Sequence, residues 1–302
     1  MSLAHRYSMI MTDTQSLLWP AVVFAFAFGS IIGSFCNVLA WRVPNGMSVT
    51  NPKRSFCPVC KHQLAWYDNI PIIAWLALRG RCRYCHAGIS VRYPLMEALY
   101  GVEFAGLTAA AFTGLIPFAV LPAALFAVSA MTTMAVIDAG PHYVYDRLVD
   151  WSAGVLAVLL AVASALAGDW WALLHALFGA LAFFGVYLLM YLWFTFVRRI
   201  EGMGAGDVGV AIIVGGMLGW LGLYQSIVGF FSIFLSAAVF ALLAWLLKTV
   251  SHGRFTALLF DEEGRMALPH VPFMTAGMVI GMLSGAAAVW WFLAVNGMTP
   301  FY

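Results

Sequence analysis

Charge is what this sequence has least of. Only 9% of its 302 residues are Asp, Glu, Lys or Arg, while 63% are hydrophobic. Soluble domains hold roughly 25% charged and about 45–50% apolar residues, so a water-soluble globule is excluded. Fifteen basic residues against thirteen acidic ones leave a net charge of +2, which gives no reason to expect nucleic acid as a partner. Disorder is excluded by 12 Trp and 23 Phe, since disordered chains are poor in aromatics. Several catalytic signatures are missing as well: HExxH, a Walker A loop, a dinucleotide fingerprint, and a GxSG motif with a membrane-buried His. The inverted repeat of a secondary transporter is not evident. What remains is a polytopic membrane protein, with the lipid bilayer as its surroundings.

A spanning helix needs about 20 mostly apolar residues. Eight stretches qualify, at approximately 18–41, 96–115, 117–137, 148–167, 171–196, 208–223, 226–247 and 272–295. Pro117 separates the second from the third, and Gly168-Asp169 the fourth from the fifth. About seventeen mixed residues precede the first run and no small-residue cleavage site follows it, which points to a span rather than a signal peptide. The expected fold class is an all-α polytopic membrane protein of about eight transmembrane helices. With eight helices, loop 42–94 and the connections carrying Arg147, Arg198 with Arg199, and Lys248, Arg254 and Arg265 share one face. That face holds fourteen of the fifteen basic residues, Lys53 among them, and only Arg6 lies opposite. The positive-inside rule makes it cytoplasmic and both termini periplasmic. Three parts are expected: 1–41, an N-terminal segment and first helix; 42–95, a cytoplasmic loop domain; and 96–302, a seven-helix membrane domain.

The loop is too small to bury a large core, and such chains usually need a staple. It contains four of the five cysteines, as Cys57-Pro58-Val59-Cys60 and Cys82-Arg83-Tyr84-Cys85. Two CxxC pairs supply the four thiolates of a tetrahedral structural zinc site, and a reducing cytoplasm disfavours disulfides. A small zinc-ribbon-like domain is therefore expected. His62 and His86 flank the pairs as bystanders, because four thiolates complete the shell. Cys36 is expected to serve packing in the first span.

Ionisable residues at a span's edge are functional candidates. Asp138 ends the third span, and Asp207 opens the sixth after Gly202, Gly204 and Gly206. Two carboxylates at one depth on different helices could meet across the bundle. Close carboxylates do not both ionise readily, so the pair shares a proton. The ionised member can take a proton from water while the protonated one polarises a peptide carbonyl, which is aspartyl proteolysis. Gly204 and Gly206 would let backbone pack closely and admit an extended peptide. Asp207 could equally be an acid at a helix N-terminus. Asp146 and Asp150 compete with Asp138 as partner. Glu97 is expected to be solvated, Glu103 to need a partner, and His175 to be a satisfied core residue. Asp261-Glu262-Glu263 fits a solvated turn.

Further stretches carry a resemblance. They are Gly33-Ser34-Phe35-Cys36-Asn37-Val38, Asp68-Asn69-Ile70-Pro71, Trp75, Arg79-Gly80-Arg81, Ile89-Ser90, Arg92-Tyr93-Pro94-Leu95-Met96-Glu97 and Pro272-Phe273. With the cysteine pairs and GxGD, this pattern resembles the type IV prepilin leader peptidases, bifunctional membrane enzymes that also act as N-methyltransferases. The resemblance covers most of the chain, from Gly33 to about Gly277. It implies an aspartyl endopeptidase that cuts a short basic leader from prepilins and pseudopilins after a Gly. It places catalysis on Asp138 and Asp207, with Asp146 in an accessory acid position. It also implies zinc in the cysteine loop and associates that loop with methylating the new N-terminus from S-adenosylmethionine, the methyl donor, through residues that no motif identifies. Acids such as Glu97, Asp146, Asp150 and Glu201 would receive the positive leader. The chain departs from the pattern in three places. Val144-Tyr145-Asp146 replaces Leu-Pro-Asp, Gly209 replaces a Lys, and His270-Val271-Pro272 replaces a glycine between prolines. Two other readings stay open: a peptidase without methyltransferase activity, and a non-enzymatic scaffold or transporter with a zinc-binding docking loop.

Overall fold

A computed structural model of the chain describes residues 3–51, 54–140, 143–199, 203–250 and 269–295. Lys53, Glu201, Gly202, Arg254, Arg265 and the Asp261-Glu262-Glu263 turn lie outside the described residues. Nine α-helices form among those described: α1 Leu3–Arg42, α2 Ile73–Ala77, α3 Arg92–Phe112, α4 Leu121–Asp138, α5 Asp146–Ala167, α6 Trp170–Leu192, α7 Ala205–Leu221, α8 Leu223–Val250 and α9 Val271–Val295. The only β pairing among them is two isolated antiparallel bridges. Six helical segments are long and apolar enough to cross a bilayer, and α7 and the first part of α9 are shorter apolar helices. The eight expected spans are thus all apolar helices. Their ends differ where local chemistry decides. Expected over 96–115, α3 instead begins at Arg92, with Pro94 tolerated in its first turn, and stops at Phe112. There Thr113 and Gly114, with φ +74°, turn the chain out of the helix.

The chain forms two compact units, residues Met1–Leu121 and Pro122–Tyr302. In the first, α1 and α3 pack through small residues. A Cβ on Gly29 would lie 2.5 Å from the Tyr100 carbonyl oxygen, and one on Gly101 would lie 2.6 Å from Ser30 Oγ. Between helices in lipid there is no hydrophobic drive to associate, and close backbone approach supplies the dispersion contacts instead.

The same device recurs twice in the second unit. In α6 and α7, Gly179 and Gly215 each meet the other's carbonyl oxygen, and a Cβ on Gly219 would lie 2.5 Å from the His175 carbonyl. In α8 and α9, a Cβ on Gly281 would lie 2.8 Å from the Gln225 carbonyl and 3.0 Å from Gly229. Between α5 and α6 the chain reverses at Gly168, with φ +67°, and Asp169 caps α6 by accepting the Ala172 N–H at 3.1 Å. Outer faces remain apolar. Trp170, Trp171 and Leu174 are exposed at the start of α6, and Trp193 and Phe196 in the π-helical turn Trp193–Arg198 that continues it. These aromatic ends stand about 35 Å apart at 1.5 Å per residue, the spacing of two bilayer interfaces. His175, expected in the core, is exposed on α6 because its backbone, not its ring, faces Gly219.

Candidate active site and metal centre

Within the second unit, α4 and α7 are its most buried helices. Val208, Val210, Ala211, Ile213 and Val214 on α7 are all inside, as are Ala123, Ala124, Ala127, Val128 and Met131 on α4. Asp138 is the last residue of α4, and Asp207 lies in the first turn of α7. They are 5% and 6% exposed, whereas Asp146 and Asp150 are exposed, which separates the four acids into two kinds. Asp207 feels the charge of Asp138 directly. Each also holds backbone. Asp138 Oδ2 accepts the Val271 N–H at 3.1 Å, and Asp207 Oδ2 accepts the Gly204 N–H at 3.3 Å. The helix-start role open to Asp207 is therefore present, and it coexists with proximity to a second buried acid.

Gly204 is exposed, with room for a side chain. Gly206 is closed in, since a Cβ there would sit 2.8 Å from Val144 Cβ. Two further residues complete the surroundings and are not legible as site residues from sequence. Tyr187 is fully buried, lies within reach of the Asp207 charge, and hydrogen-bonds through its hydroxyl to His270 Nε2 at 3.1 Å. The available signal was a phenol inside an apolar span, where its hydroxyl requires a partner.

All three departures from the resembling pattern have local partners. Val144 packs on Gly206, and Tyr145 meets Tyr143 edge to face at 5.0 Å. A Cβ on Gly209 would lie 3.0 Å from Val149 Cγ1, so this helix face is closed to a larger residue unless Val149 gives way. His270 binds Tyr187 while the next backbone N–H binds Asp138.

In the first unit the two CxxC segments fold into one repeated turn. The Cys57 N–H donates to the His62 carbonyl at 3.0 Å and the Lys61 N–H to the Cys57 carbonyl at 2.9 Å. Cys82, His86 and Ala87 repeat this with bonds of 2.8 and 2.9 Å. Lys61 and His86, at φ 60° and 57°, occupy the same left-handed position in each. Phe56 bridges to Gln63 and Arg81 to Gly88, at matching places. The four cysteine sulfurs all lie within 4.8 Å of one another, and Cys57 and Cys85 sulfurs are 3.8 Å apart. Four sulfurs about 2.3 Å from a tetrahedral zinc stand about 3.8 Å from each other, so the cluster fits that ion. The backbone N–H of Cys60, against the opposing effect of burial and aided by that of Val59, holds the Cys57 thiol down at about 7. Cys57 is thereby turned toward the thiolate a metal requires, whereas at Cys85 the Ala87 N–H is outweighed by burial and by the other three cysteines, which push that thiol up to about 11. His62 lies against Tyr84, with ring centroids 3.6 Å apart and the planes tilted by 31°, and stands outside the cluster.

The loop is fastened elsewhere by polar contacts. Arg83 Nε donates to Asp68 Oδ1 at 2.8 Å, and Trp75 Nε1 donates to the Ile89 carbonyl at 3.0 Å. Glu97, expected to be solvated, is buried and accepts the Ile72 N–H at 2.7 Å together with the Ser34 hydroxyl. Ile72 has φ 62° and ψ −51°, a conformation unfavourable for a β-branched residue. Removing the carboxylate would orphan a part-buried amide at a strained residue, at a cost of about 1 kcal/mol. Glu97→Ala should therefore release metal to a chelator severalfold faster than the parent, and Glu97→Gln should restore most of the retention, because its amide oxygen can still accept.

Comparison with known proteins follows the same division. Residues 27–111 match the bacterial peptidase A24 N-terminal domain, and residues 125–247 match the type IV leader peptidase family. A prepilin leader peptidase/N-methyltransferase of Myxococcus xanthus is 41% identical over 201 residues, which is 66% of this chain and 56% of that protein. One from Burkholderia pseudomallei is 32% identical, covering 93% of this chain and 87% of its own length. One from Aeromonas hydrophila is 30% identical, over 95% and 98% respectively. No solved structure matches the chain.

Proposed function

We propose, since this chain belongs to the type IV leader peptidase family, that it cuts the short basic leader from prepilins and pseudopilins and methylates the new N-terminus. The observation that carries the cleavage half is the pair of buried acids, Asp138 and Asp207, within electrostatic reach of each other. In this reading one carboxylate, ionised, removes a proton from the attacking water. The other, protonated, donates to the scissile carbonyl oxygen as the tetrahedral intermediate forms. Gly204 leaves open backbone beside Asp207 for an extended substrate, and Gly206 fixes the turn against Val144. Asp146 and Asp150, exposed at the start of α5, would receive the basic leader, with Asp146 as the accessory acid.

The protein would sit in the bacterial inner membrane with the cysteine loop and the acids on the cytoplasmic side and both termini periplasmic, as its basic residues favour. A prepilin leader would then stay at the cytoplasmic surface while its apolar helix enters the bilayer. Cys57, Cys60, Cys82 and Cys85 would hold zinc, which supplies a structural cross-link when bound. The methyl donor would be S-adenosylmethionine. The unprotonated N-terminal amine attacks its methyl carbon, the carbon–sulfur bond breaks with its electrons to sulfur, and the methylated ammonium loses a proton to water.

Mass spectrometry of a prepilin incubated with the purified protein and S-adenosylmethionine reads both halves. The expected product lacks its leader and is heavier by one methyl group. An intact prepilin refutes the reading, and a cleaved but unmethylated one refutes its second half.

A further inference from the structure

Val271, the first residue of α9, has an N–H that no carbonyl of its own helix can accept, as holds for the opening amides of any helix. Asp138 takes it at 3.1 Å, and Val271 itself is fully buried. The preceding residue, His270, starts the helix, its carbonyl accepting the Phe273 and Met274 N–H groups at 3.0 and 3.2 Å. Its ring bonds through Nε2 to the Tyr187 hydroxyl of α6 at 3.1 Å. One peptide link thus separates a bond to α6 from a bond to Asp138. We infer that Tyr187 and His270 are positioning residues for leader cleavage, whose bond sets where the Val271 amide, and with it the Asp138 carboxylate, stands relative to Asp207. The inference rests on the cleavage half of the proposed function, and it adds two residues to the pair of acids that carries it.

The path between the two acids is short. Tyr187 is fully buried and feels the charge of Asp207, while its bond partner adjoins the amide that Asp138 holds. Its ends belong to different helix pairs, Tyr187 and Asp207 to α6 and α7, and His270 and Val271 to the start of α9, which packs on α8. A phenol and an imidazole inside an apolar bundle each need a polar partner, and here each is the other's. Such a bond accepts only a narrow range of lengths and angles, so a satisfied buried pair specifies one arrangement where apolar packing tolerates several. Pro269 and Pro272 restrict the backbone on either side of His270 and Val271, which leaves little slack between the ring and the amide. Phe234 of α8 closes the third side, its ring centroid 6.4 Å from that of Tyr187 and 6.2 Å from that of His270. The charges acting on this set are those of the acids themselves, Asp138 on Asp207 and Asp207 on Tyr187. Two carboxylates that share a proton are active in the singly protonated state, so their rate profile is a bell. Acids that move apart repel each other less, their apparent pKa values converge, and the bell narrows.

The pH dependence of kcat and KM, read with the full-length protein in detergent on a purified prepilin, tests this role. Tyr187→Phe removes the hydroxyl and keeps the ring beside Phe234, and His270→Leu removes the partner. Each should lower kcat by about tenfold or more, leave KM within about twofold, and narrow the bell. Combining them should add little to the larger single loss, because both act through one bond. His270→Gln, whose amide reaches about as far as Nε2, should recover most of the rate and the parental width. Amide hydrogen exchange gives a second answer that needs no activity, since the Val271 amide should exchange severalfold faster in Tyr187→Phe than in the parent. Should Tyr187→Phe not fold, His270→Leu against His270→Gln carries both comparisons. A bell of parental width at reduced height reports only lost folded enzyme and overturns the positioning role. A raised KM at unchanged kcat, which would put the pair against the substrate, overturns it too, as does Val271 exchange equal to the parent's. A parent that leaves the prepilin intact defeats the cleavage reading itself, whereas a cleaving parent with unaltered variants defeats this inference alone.

Discussion

Asp138→Asn and Asp207→Asn should each abolish leader cleavage, by about 10³-fold or more, while zinc stays bound. Asn keeps the shape and one acceptor oxygen. Asp138→Asn can still take the Val271 N–H, and Asp207→Asn the Gly204 N–H, so both variants retain the backbone contacts that these side chains make. What each loses is the capacity to carry or release a proton, which is the only property that proteolysis by this pair requires. The double variant should be no slower than either single one, because two groups that act as a unit are not additive. Asp146→Asn is the informative contrast. Its carboxylate is exposed at the first residue of α5, and its replacement should slow cleavage modestly, through weaker leader binding. Cleavage surviving in Asp138→Asn and lost in Asp146→Asn would assign the first acid to Asp146 instead. Initial rates on a purified prepilin, with zinc measured in the same samples, separate the outcomes.

The second large effect is expected at the cysteines. Structural zinc sites contribute about 10–16 kcal/mol of apparent binding free energy, far more than a 53-residue loop can assemble from its own core. Cys57→Ser or Cys82→Ser replaces a thiolate ligand by a hydroxyl that stays protonated, and should empty the site. Methylation should then disappear and the loop should become sensitive to protease. Leader cleavage should persist at a measurable level, because both acids and their backbone partners belong to the other compact unit. Methylation that continues at the parental rate in a zinc-free variant would separate the loop from the transfer reaction.

The existence of the apolar helices was legible because hydrocarbon imposes a minimum run of apolar residues that water does not. Their ends were less so, since Gly114 and Pro94 act on local backbone and not on hydropathy. Orientation within a span was hidden for a related reason. The sequence of α6 is apolar on every side, and its inner face is chosen by Gly179 fitting against α7, which turns His175 outward. The cysteine cluster was readable from spacing alone because each CxxC turn is a local structure. Burial of Glu97 was not, because its partner is a backbone amide 25 residues away, and backbone amides leave no trace in composition. The same holds for Val271 and Asp138, 133 residues apart. Tyr187 escaped notice, and His270 stood out only as a departure from the family pattern, since neither reads as a site residue until the other is beside it.

The glycine seams have a mechanical consequence for the acid pair. Helices whose backbones interlock at several positions resist sliding or rolling past each other, so α6 with α7, and α8 with α9, behave as two stiff rods. Asp207 rides on the first rod, while Asp138 is tied by its bond with Val271 to the second. The gap between the carboxylates is therefore a gauge of how the rods lie against one another. A tilt of a few degrees, multiplied along a helix about 25 Å long, would open or close the distance over which the pair shares its proton.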